Sequence, residues 1–412
     1  MVSREGGADV SILHVDLNSF YAHCAVVESG GKYTFDTPLI VGGDQEKRHG
    51  IVLAATYCVK KKGVRAGMPL INAASLCPEA VVVSPDFKLY SYYSDKFMSI
   101  LRDYSPLIMR FGIDEAYVDY GGCEHLFGTA QEVAETIRQR VKRELGLTVS
   151  VGVGDNMLMA KMGSDYKKPD AVTVVTREFW HENIMKLPVG NLMYVGSSSV
   201  KKLNLIGITT IGELAAASEA LIKSLFGASG RQMWLHANGI DNEKITLERA
   251  EQKSISSSFT LPGDIRTRDE LFSALLSQTD KVAYRLRAQG VKAKTVGVSV
   301  RYSDMTHKSR QTRLPESSDV TSELYDTAKA LILPLYNEKS IRQVGMSATI
   351  DNACAEQLSL FSDSGHEKNR SVDKAVDALK TRFGEDVIWR ASTSALRSSI
   401  DSHNPFGRAD DR

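Results

Sequence analysis

An α+β chain built on two βαββαβ units is what this sequence predicts, and three observations predict it. An apolar strand near the start is followed by a helix, a hairpin at 107 to 120, a second helix and a closing strand at 148 to 153, the split βαβ order of a ferredoxin-like fold. The same order of periodicities returns between about 253 and 350, without visible sequence repetition. At 412 residues, with 42% hydrophobic and 25% charged residues, the chain is long enough for two to four domains and ordinary enough to fold.

Residues 11 to 17 read as a buried strand, and Asn18 or Ser19 starts the helix that follows, whose free backbone donors suit a triphosphate. A smaller unit from Lys32 to about Pro85 has strands at 39–41 and 51–55. Its cations Lys60, Lys61 and Lys62 cluster ahead of Gly63. A helix is expected over Tyr90–Asp103 and another over about Gln131–Leu145, where Val133, Ile137, Val141 and Leu145 make an apolar stripe. After Lys167-Lys168-Pro169 come short helices with glycine turns, including a capping box at Thr210 and Glu213. The second unit has strands near 253–260, 294–303, 308–314 and 341–350. Its helices run from Thr267 to Gly290 and over about 319–336. The last sixty residues hold Gln357-Leu358-Ser359-Leu360-Phe361, a polar stretch, and a weak amphipathic helix with Val372, Val376, Leu379 and Phe383 on one side. The short apolar peptide beside a polar linker is of the kind that docks in another protein's groove.

The chemistry gathers at Gly112-Ile113-Asp114-Glu115-Ala116-Tyr117. Adjacent carboxylates at a chain reversal are costly unless a cation neutralises them. Asp16 ends an apolar strand where a lone charge is equally unfavourable. Three carboxylates on neighbouring strands make a hard-oxygen site suited to Mg²⁺ and phosphates.

The net charge of +1 conceals a local excess. Nine cations lie between 281 and 313 (Lys281, Arg285, Arg287, Lys292, Lys294, Arg301, Lys308, Arg310, Arg313) against one acid, Asp304. That stretch is a candidate contact for phosphate backbones. Five scattered cysteines without a Cys-x-x-Cys pair suggest neither a disulfide framework nor a zinc site. With no apolar stretch of membrane-spanning length, a reducing cytoplasm is the expected compartment.

Five motifs in order carry a resemblance: His14-Val15-Asp16-Leu17-Asn18-Ser19-Phe20-Tyr21-Ala22, Ala55-Thr56-Tyr57, Gly63-Val64-Arg65-Ala66-Gly67-Met68-Pro69, the stretch from Gly112 to Asp119, and Ser164-Asp165-Tyr166-Lys167-Lys168-Pro169. Over about residues 10 to 350 the chain resembles the Y-family, or translesion, DNA polymerases, closest to the polymerase IV and UmuC-like branches. The resemblance implies a right-hand polymerase. Residues 11–20 and 86–175 would be a ferredoxin-like palm, 21–85 small fingers, 176–246 a helix-hairpin-helix thumb, 253–351 a βαββαβ little finger, and 352–412 a tail.

It further implies two Mg²⁺ ions on Asp16, Asp114 and Glu115, with the Leu17 carbonyl helping, and Tyr21 as a steric gate against ribonucleotides. Phe20, Tyr57, Lys60 and Lys168 would bind the deoxynucleoside triphosphate. Lys292, Lys294, Arg301, Lys308, Arg310 and Arg313 would face primer-template DNA. Residues 357–361 are similar to the peptide that binds the sliding clamp, and a monomer is expected. Departures from the family pattern are Gly112 for the usual serine, Lys60 for the more frequent arginine, the missing second glycine at Val195-Gly196-Ser197, and about fifty residues after the clamp-like peptide. The expected reaction is error-prone, template-directed nucleotidyl transfer without proofreading. Its rivals are a nucleotide cyclase and a non-catalytic DNA- and clamp-binding accessory protein.

Overall fold

The computed structural model describes residues 11–43, 50–246, 251–337, 339–351, 364–384 and 387–393. Contacts divide the described chain into two compact units, with the break between residues 246 and 251. The clamp-like peptide 357–361 lies outside the described residues.

In the first unit, β1 (Ile12–Leu17) runs into α1 (Phe20–Val27). The cap of α1 departs from expectation. Ser19 is the N-cap but sits in the left-handed region at φ 44 and makes no capping hydrogen bond through its side chain. Next come β2 (Leu39–Gly42), β3 (Val52–Ala55), α2 (Tyr57–Lys61), α3 (Leu70–Leu76) and β4 (Val81–Val83). They form a three-stranded sheet in the order β3-β2-β4 around Ile40, Val52, Val59, Val64 and Leu70. The sequence anticipated β2 and β3 but neither α3 nor the parallel strand β4.

α4 (Phe87–Arg102) starts at Phe87 rather than Tyr90, because the Asp86 carboxylate accepts from the Leu89 amide. The hairpin of β5 (Leu107–Arg110) and β6 (Glu115–Asp119) follows as expected, then a short α5 (Glu124–Phe127). α6 (Ala130–Leu145) opens on a Thr129–Glu132 capping box and buries Val133, Ile137 and Val141. β7 (Val149–Gly154) does not close the sheet. The sequence reading missed α7 (Met157–Tyr166) and β8 (Val172–Val175), the second of which adds a parallel edge strand.

The five-stranded order is β5-β6-β1-β7-β8, so β1, β5, β6 and β7 reproduce the ferredoxin-like arrangement with β1 inside. Phe20, Ala22, Cys24 and Val26 of α1 share the core of this sheet. The remaining helices, α8 (Arg177–Glu182), α9 (Ser197–Leu205), α10 (Ile211–Ala216), α11 (Glu219–Phe226) and α12 (Ala228–Ala237), are the short ones expected. They pack around Trp180, Leu203, Ile211, Leu214 and Ile222, together with Leu158, Met159 and Met162 of α7.

The second unit runs β9 (Ser254–Ile265), α13 (Arg268–Ala288), β10 (Ala293–Tyr302), β11 (His307–Ser318), α14 (Thr321–Ile332) and β12 (Ile341–Ile350). The predicted element order holds, and the Thr267–Glu270 capping box starts α13. The sheet order is β11-β10-β12-β9, which puts the first strand at an edge instead of the centre. Helices cover the face carrying Val296, Val298, Val300, Val344 and Met346. Directly opposed residues share a face. The uncovered face therefore has rows Ser256, Ser347, Gly297, Gln311 and Ser258, Gly345, Ser299, Ser309, ending in Arg301 and Arg313.

α15 (Ser364–Phe383) packs on this unit through charged residues rather than through its apolar side. Asp373 and Lys380 are buried, while Val372, Leu379 and Phe383 are exposed. Charge explains this choice of face. Arg287, only 6% exposed, pairs with Asp373 at 3.2 Å and Asp377 at 2.6 Å, and Lys380 pairs with Asp280 at 2.5 Å. Arg287 is thereby removed from the basic surface read from the sequence. No helix among the described residues is long and apolar enough to cross a membrane.

Candidate active site

The central position of β1 delivers its last carboxylate to β6. Asp16 and Glu115 are register partners across the β1–β6 pair, an arrangement that is destabilising for two like charges without neutralisation. Asp114 stands one residue before β6, and its carbonyl accepts from the Leu17 amide at 2.9 Å, tying the turn to the end of β1. Ser94 donates to the Ile113 carbonyl and fixes the turn from the α4 side. The structure thus brings Asp16 and Glu115 together, while the Asp114 carboxylate stands outside the group of converging ligand atoms but near enough for their charges to act on it.

Their environments differ. Burial, then the charges of Asp16 and Glu115, push the Asp114 carboxyl up to about 6. Burial acts the same way on Glu115, but the adjacent His14 ring and the Lys161 ammonium that donates to it outweigh burial and hold that carboxyl at about 2. His14 Nε2 lies 3.3 Å from Glu115 Oε2. Its Nδ1 is 2.8 Å from Ser164 Oγ, whose own proton goes to the Lys161 carbonyl. The ring is fully buried, and burial lowers its pKa.

Cations close the cluster from α7 and the loop after it. Lys161 Nζ is 2.6 Å from Glu115 Oε2 and 3.3 Å from Asp16 Oδ2. Lys168 Nζ is 2.8 Å from both Asp16 Oδ2 and Asp165 Oδ1. Burial opposes both ammonium charges, yet the carboxylates raise both pKa values. Glycine brings α7 this close. A Cβ on Gly152 would overlap the Ala160 carbonyl and the Ser164 amide, so helix backbone lies directly on β7.

On the other side, Lys60 Nζ donates to Ser19 Oγ at 2.8 Å and lies 4.7 Å from the centre of the Tyr57 ring. Burial, then the charge of Lys168, lowers the Lys60 pKa, so the two predicted phosphate cations do face one locality. Asn18 joins β1 to β7 through Ser150 Oγ and accepts from the Asp170 amide, both at 2.9 Å. Tyr21 is half-buried and stacked on Tyr90, with ring centres 4.2 Å apart. Phe20 can meet a ligand through its backbone alone, since it is 3% exposed and belongs to the core. Leu17, at 2%, likewise offers its backbone, the group expected of it.

The donor set fits a hard divalent cation. Oxygen ligands dominate, and His14, Asp16 and Glu115 offer atoms within 4.8 Å of one another. The region between Asp16 and Glu115 already holds a positive charge, that of Lys161. Sequence reasoning assigned no role to His14, Lys161 or Asp165. Part of the signal was present: Lys161 and Asp165 are four residues apart, the spacing that puts side chains on one helix face, whereas Lys168 lies beyond the end of α7.

The basic residues of the second unit are less concentrated than their spacing suggested. Arg301 and Arg313 lie on the uncovered face of the sheet. Lys308 and Arg310 pair with Val300 and Val298, which places them on the opposite face of edge strand β11. Lys294 falls in an irregularity between Ala293 and Thr295.

Two family models match the chain: the impB/mucB/samB family over residues 15–165, and the C-terminal domain of that family over residues 252–360. The chain belongs to this family, that of the Y-family or translesion DNA polymerases. Among curated relatives, DNA polymerase IV of Acetivibrio thermocellus is 39% identical over 92% of this chain and 96% of its own length. DNA polymerase IV 2 of Bacillus subtilis is 36% identical over 93% and 94%. Among solved structures, a Y-family polymerase chimera of Dbh and Dpo4 superposes with a TM-score of 0.71 at 24% identity, covering 82% of this chain and 98% of that one. DinB from Sulfolobus solfataricus gives 0.54 at 23%, with the same coverage. These likenesses bear out the α+β right-hand fold and give no support to a non-catalytic accessory protein.

Proposed function

We propose that the carboxylates Asp16, Asp114 and Glu115 carry the chemistry of a template-directed, error-prone translesion DNA polymerase. The observation that supports this most is the register pairing of Asp16 with Glu115 at the end of a buried central strand, with Asp114 beside them. Two Mg²⁺ ions bound there would supply the charge that activates a primer 3′-OH and neutralises departing pyrophosphate. Asp114, whose carboxyl is held near 6, ionises fully only above that pH, so metal binding strengthens as pH rises through it.

The chain's own groups have distinct tasks in this reading. Lys60, Lys168 and the first amides of α1 receive the triphosphate of the deoxynucleotide. Lys60 is a point charge, so it orients phosphate less strictly than an arginine fork. Tyr21, braced by Tyr90, stands as the gate against a 2′-OH. The five-stranded sheet with its helices serves as palm, the three-stranded sheet as small fingers, α8 to α12 as thumb and the second unit as little finger. The uncovered hydroxyl-rich face of that unit, with Arg301 and Arg313, meets the primer-template backbone. Residues 357–361 engage a sliding clamp, and the enzyme acts as a monomer in the cytoplasm.

Primer extension with Mg²⁺ and deoxynucleotides, on undamaged and abasic templates, tests the proposal. Extension is expected from the wild type and lost in Asp114→Ala, and Tyr21→Ala should admit ribonucleotides. Tight primer-template binding without extension by the wild type would refute it.

A further inference from the structure

We infer that Lys161 is the resident counter-ion of the carboxylate cluster, and that an incoming nucleotide displaces it onto Asp165, so that metal and triphosphate binding are coupled through this lysine. The inference rests on the polymerase reading above. Its starting point is a shared position. Lys161 Nζ contacts Glu115 Oε2 and Asp16 Oδ2 at once, 2.6 and 3.3 Å away, and its side chain is 15% exposed. A cation held by those same oxygens at about 2.1 Å would lie in contact with the ammonium. Two positive centres that close, away from bulk water, repel strongly. One must leave.

A destination is already in reach. Asp165, one turn along α7, has Oδ2 3.5 Å from Lys161 Nζ and is 46% exposed. Its other oxygen, Oδ1, is occupied by Lys168, which also holds Asp16 Oδ2. Both lysines therefore share one oxygen of Asp16. A triphosphate offers Lys168 several charged oxygens at once and draws it off Asp16 and Asp165. Asp165, left without its partner, takes up Lys161. Asp16 then loses both ammonium groups at the step in which the nucleotide and its metal arrive. Without nucleotide, the lysines keep the like-charged carboxylates neutralised.

Lys161 is not what holds α7 in place, because the Gly152 contact and the His14–Ser164 bond fasten the helix independently. Its substitution can therefore be read as chemistry. The experiment titrates the full chain with Mn²⁺, free ion being followed by electron paramagnetic resonance, with and without a non-hydrolysable deoxynucleoside triphosphate analogue. The analogue's own Mn²⁺ binding is subtracted, and thermal melting checks each variant. Lys161→Met is expected to bind Mn²⁺ about tenfold more tightly than wild type without the analogue, and to lose about the same factor of analogue-dependent tightening. Asp165→Asn should not raise the analogue-free affinity and should weaken the tightening. If Lys161→Met melts poorly, Lys161→Gln replaces it. Unchanged or weaker Mn²⁺ binding by a folded Lys161 variant would overturn the exchange. Unchanged Mn²⁺ binding by Asp114→Ala would instead remove the metal site, and the polymerase reading with it.

Discussion

The two βαββαβ units share an order of elements and differ in where the first strand goes. In the first unit β1 is central, and a carboxylate at its end meets another in register on β6. In the second, β9 is an edge strand, and the rows crossing the sheet carry serine, glycine, threonine and glutamine. One unit concentrates charge where water is scarce, while the other leaves a largely hydroxyl-lined sheet face with Arg301 and Arg313 on it. The same supersecondary pattern thus gives a reactive site or a docking face, according to strand order and the residues at strand ends. The treatment of helices differs likewise. α7 lies on β7 through backbone contact at Gly152, whereas α15 is fastened by buried ion pairs and leaves its apolar stripe exposed.

The comparison breaks most severely at the carboxylates. Asp16→Ala is expected to lower primer extension by roughly 10³-fold in steady-state assays, a loss of the size that follows removal of a group stabilising developing charge. Arg301→Ala in the other unit should weaken primer-template binding modestly and reduce its salt dependence, as measured by fluorescence anisotropy across a salt series. If the two changes affected catalysis equally, the division of labour would be wrong.

The next largest effect separates the two ways of fastening a helix. Arg287→Met leaves Asp377 without its cation and Asp373 with Arg390 alone, and removing one partner of a buried pair costs about 3 kcal/mol. Calorimetry should show the second unit melting earlier. Replacing Arg287 and Asp377 together by apolar residues, with Asp373 kept on Arg390 and the Thr321 amide, should recover part of the loss. Gly152→Ala is the counterpart in the first unit, with a similar cost of about 3 kcal/mol from overpacking and no recovery by charge changes.

Asp114 links site to stability. Its folded pKa of about 6 lies above the ordinary 3.8, so its ionised form is disfavoured in the native state. The wild type therefore loses stability as pH rises from about 4 through 6. Asp114→Asn, though inactive, should melt higher than wild type at pH 8 in chelator, by roughly 2 kcal/mol, with the gap closing below pH 4. Mg²⁺ should stabilise the wild type alone. Glu115, held at about 2, has the opposite sign: its contribution is full above its ordinary 4.5 and fades as pH falls towards 2.

Much of this was legible in the sequence because the signals were local. Capping boxes at Thr210 and Thr267, the stripe on α6 and the carboxylates at a reversal each depend on neighbours a few residues apart. What escaped depends on distant partners. α7 was missed because Met157 to Tyr166 is held by glycines on another strand, which sequence periodicity does not report. The face by which α15 packs was not legible, because its partner Arg287 lies some ninety residues earlier.

The smallest expected effect concerns Gly112, where the family usually has serine. The glycine does not occupy the left-handed region, and a Cβ there would meet Glu115 Cγ at 3.4 Å and Asp114 Oδ1 at 3.5 Å, ordinary contacts. Gly112→Ser should therefore leave stability within about 0.5 kcal/mol by thermal melting. A hydroxyl at that position can donate to Asp114, and a hydrogen bond to the charged form lowers a carboxyl pKa. The pH at which extension reaches half its maximum should accordingly move below that of the wild type. Gly297 in the second unit gives the contrast. A Cβ there would lie 2.6 Å from Ser347 Oγ, so Gly297→Ser must displace a cross-strand hydroxyl and should destabilise measurably. Equal melting of the two serine variants would mean that the open sheet face is less tightly packed than its cross-strand contacts require.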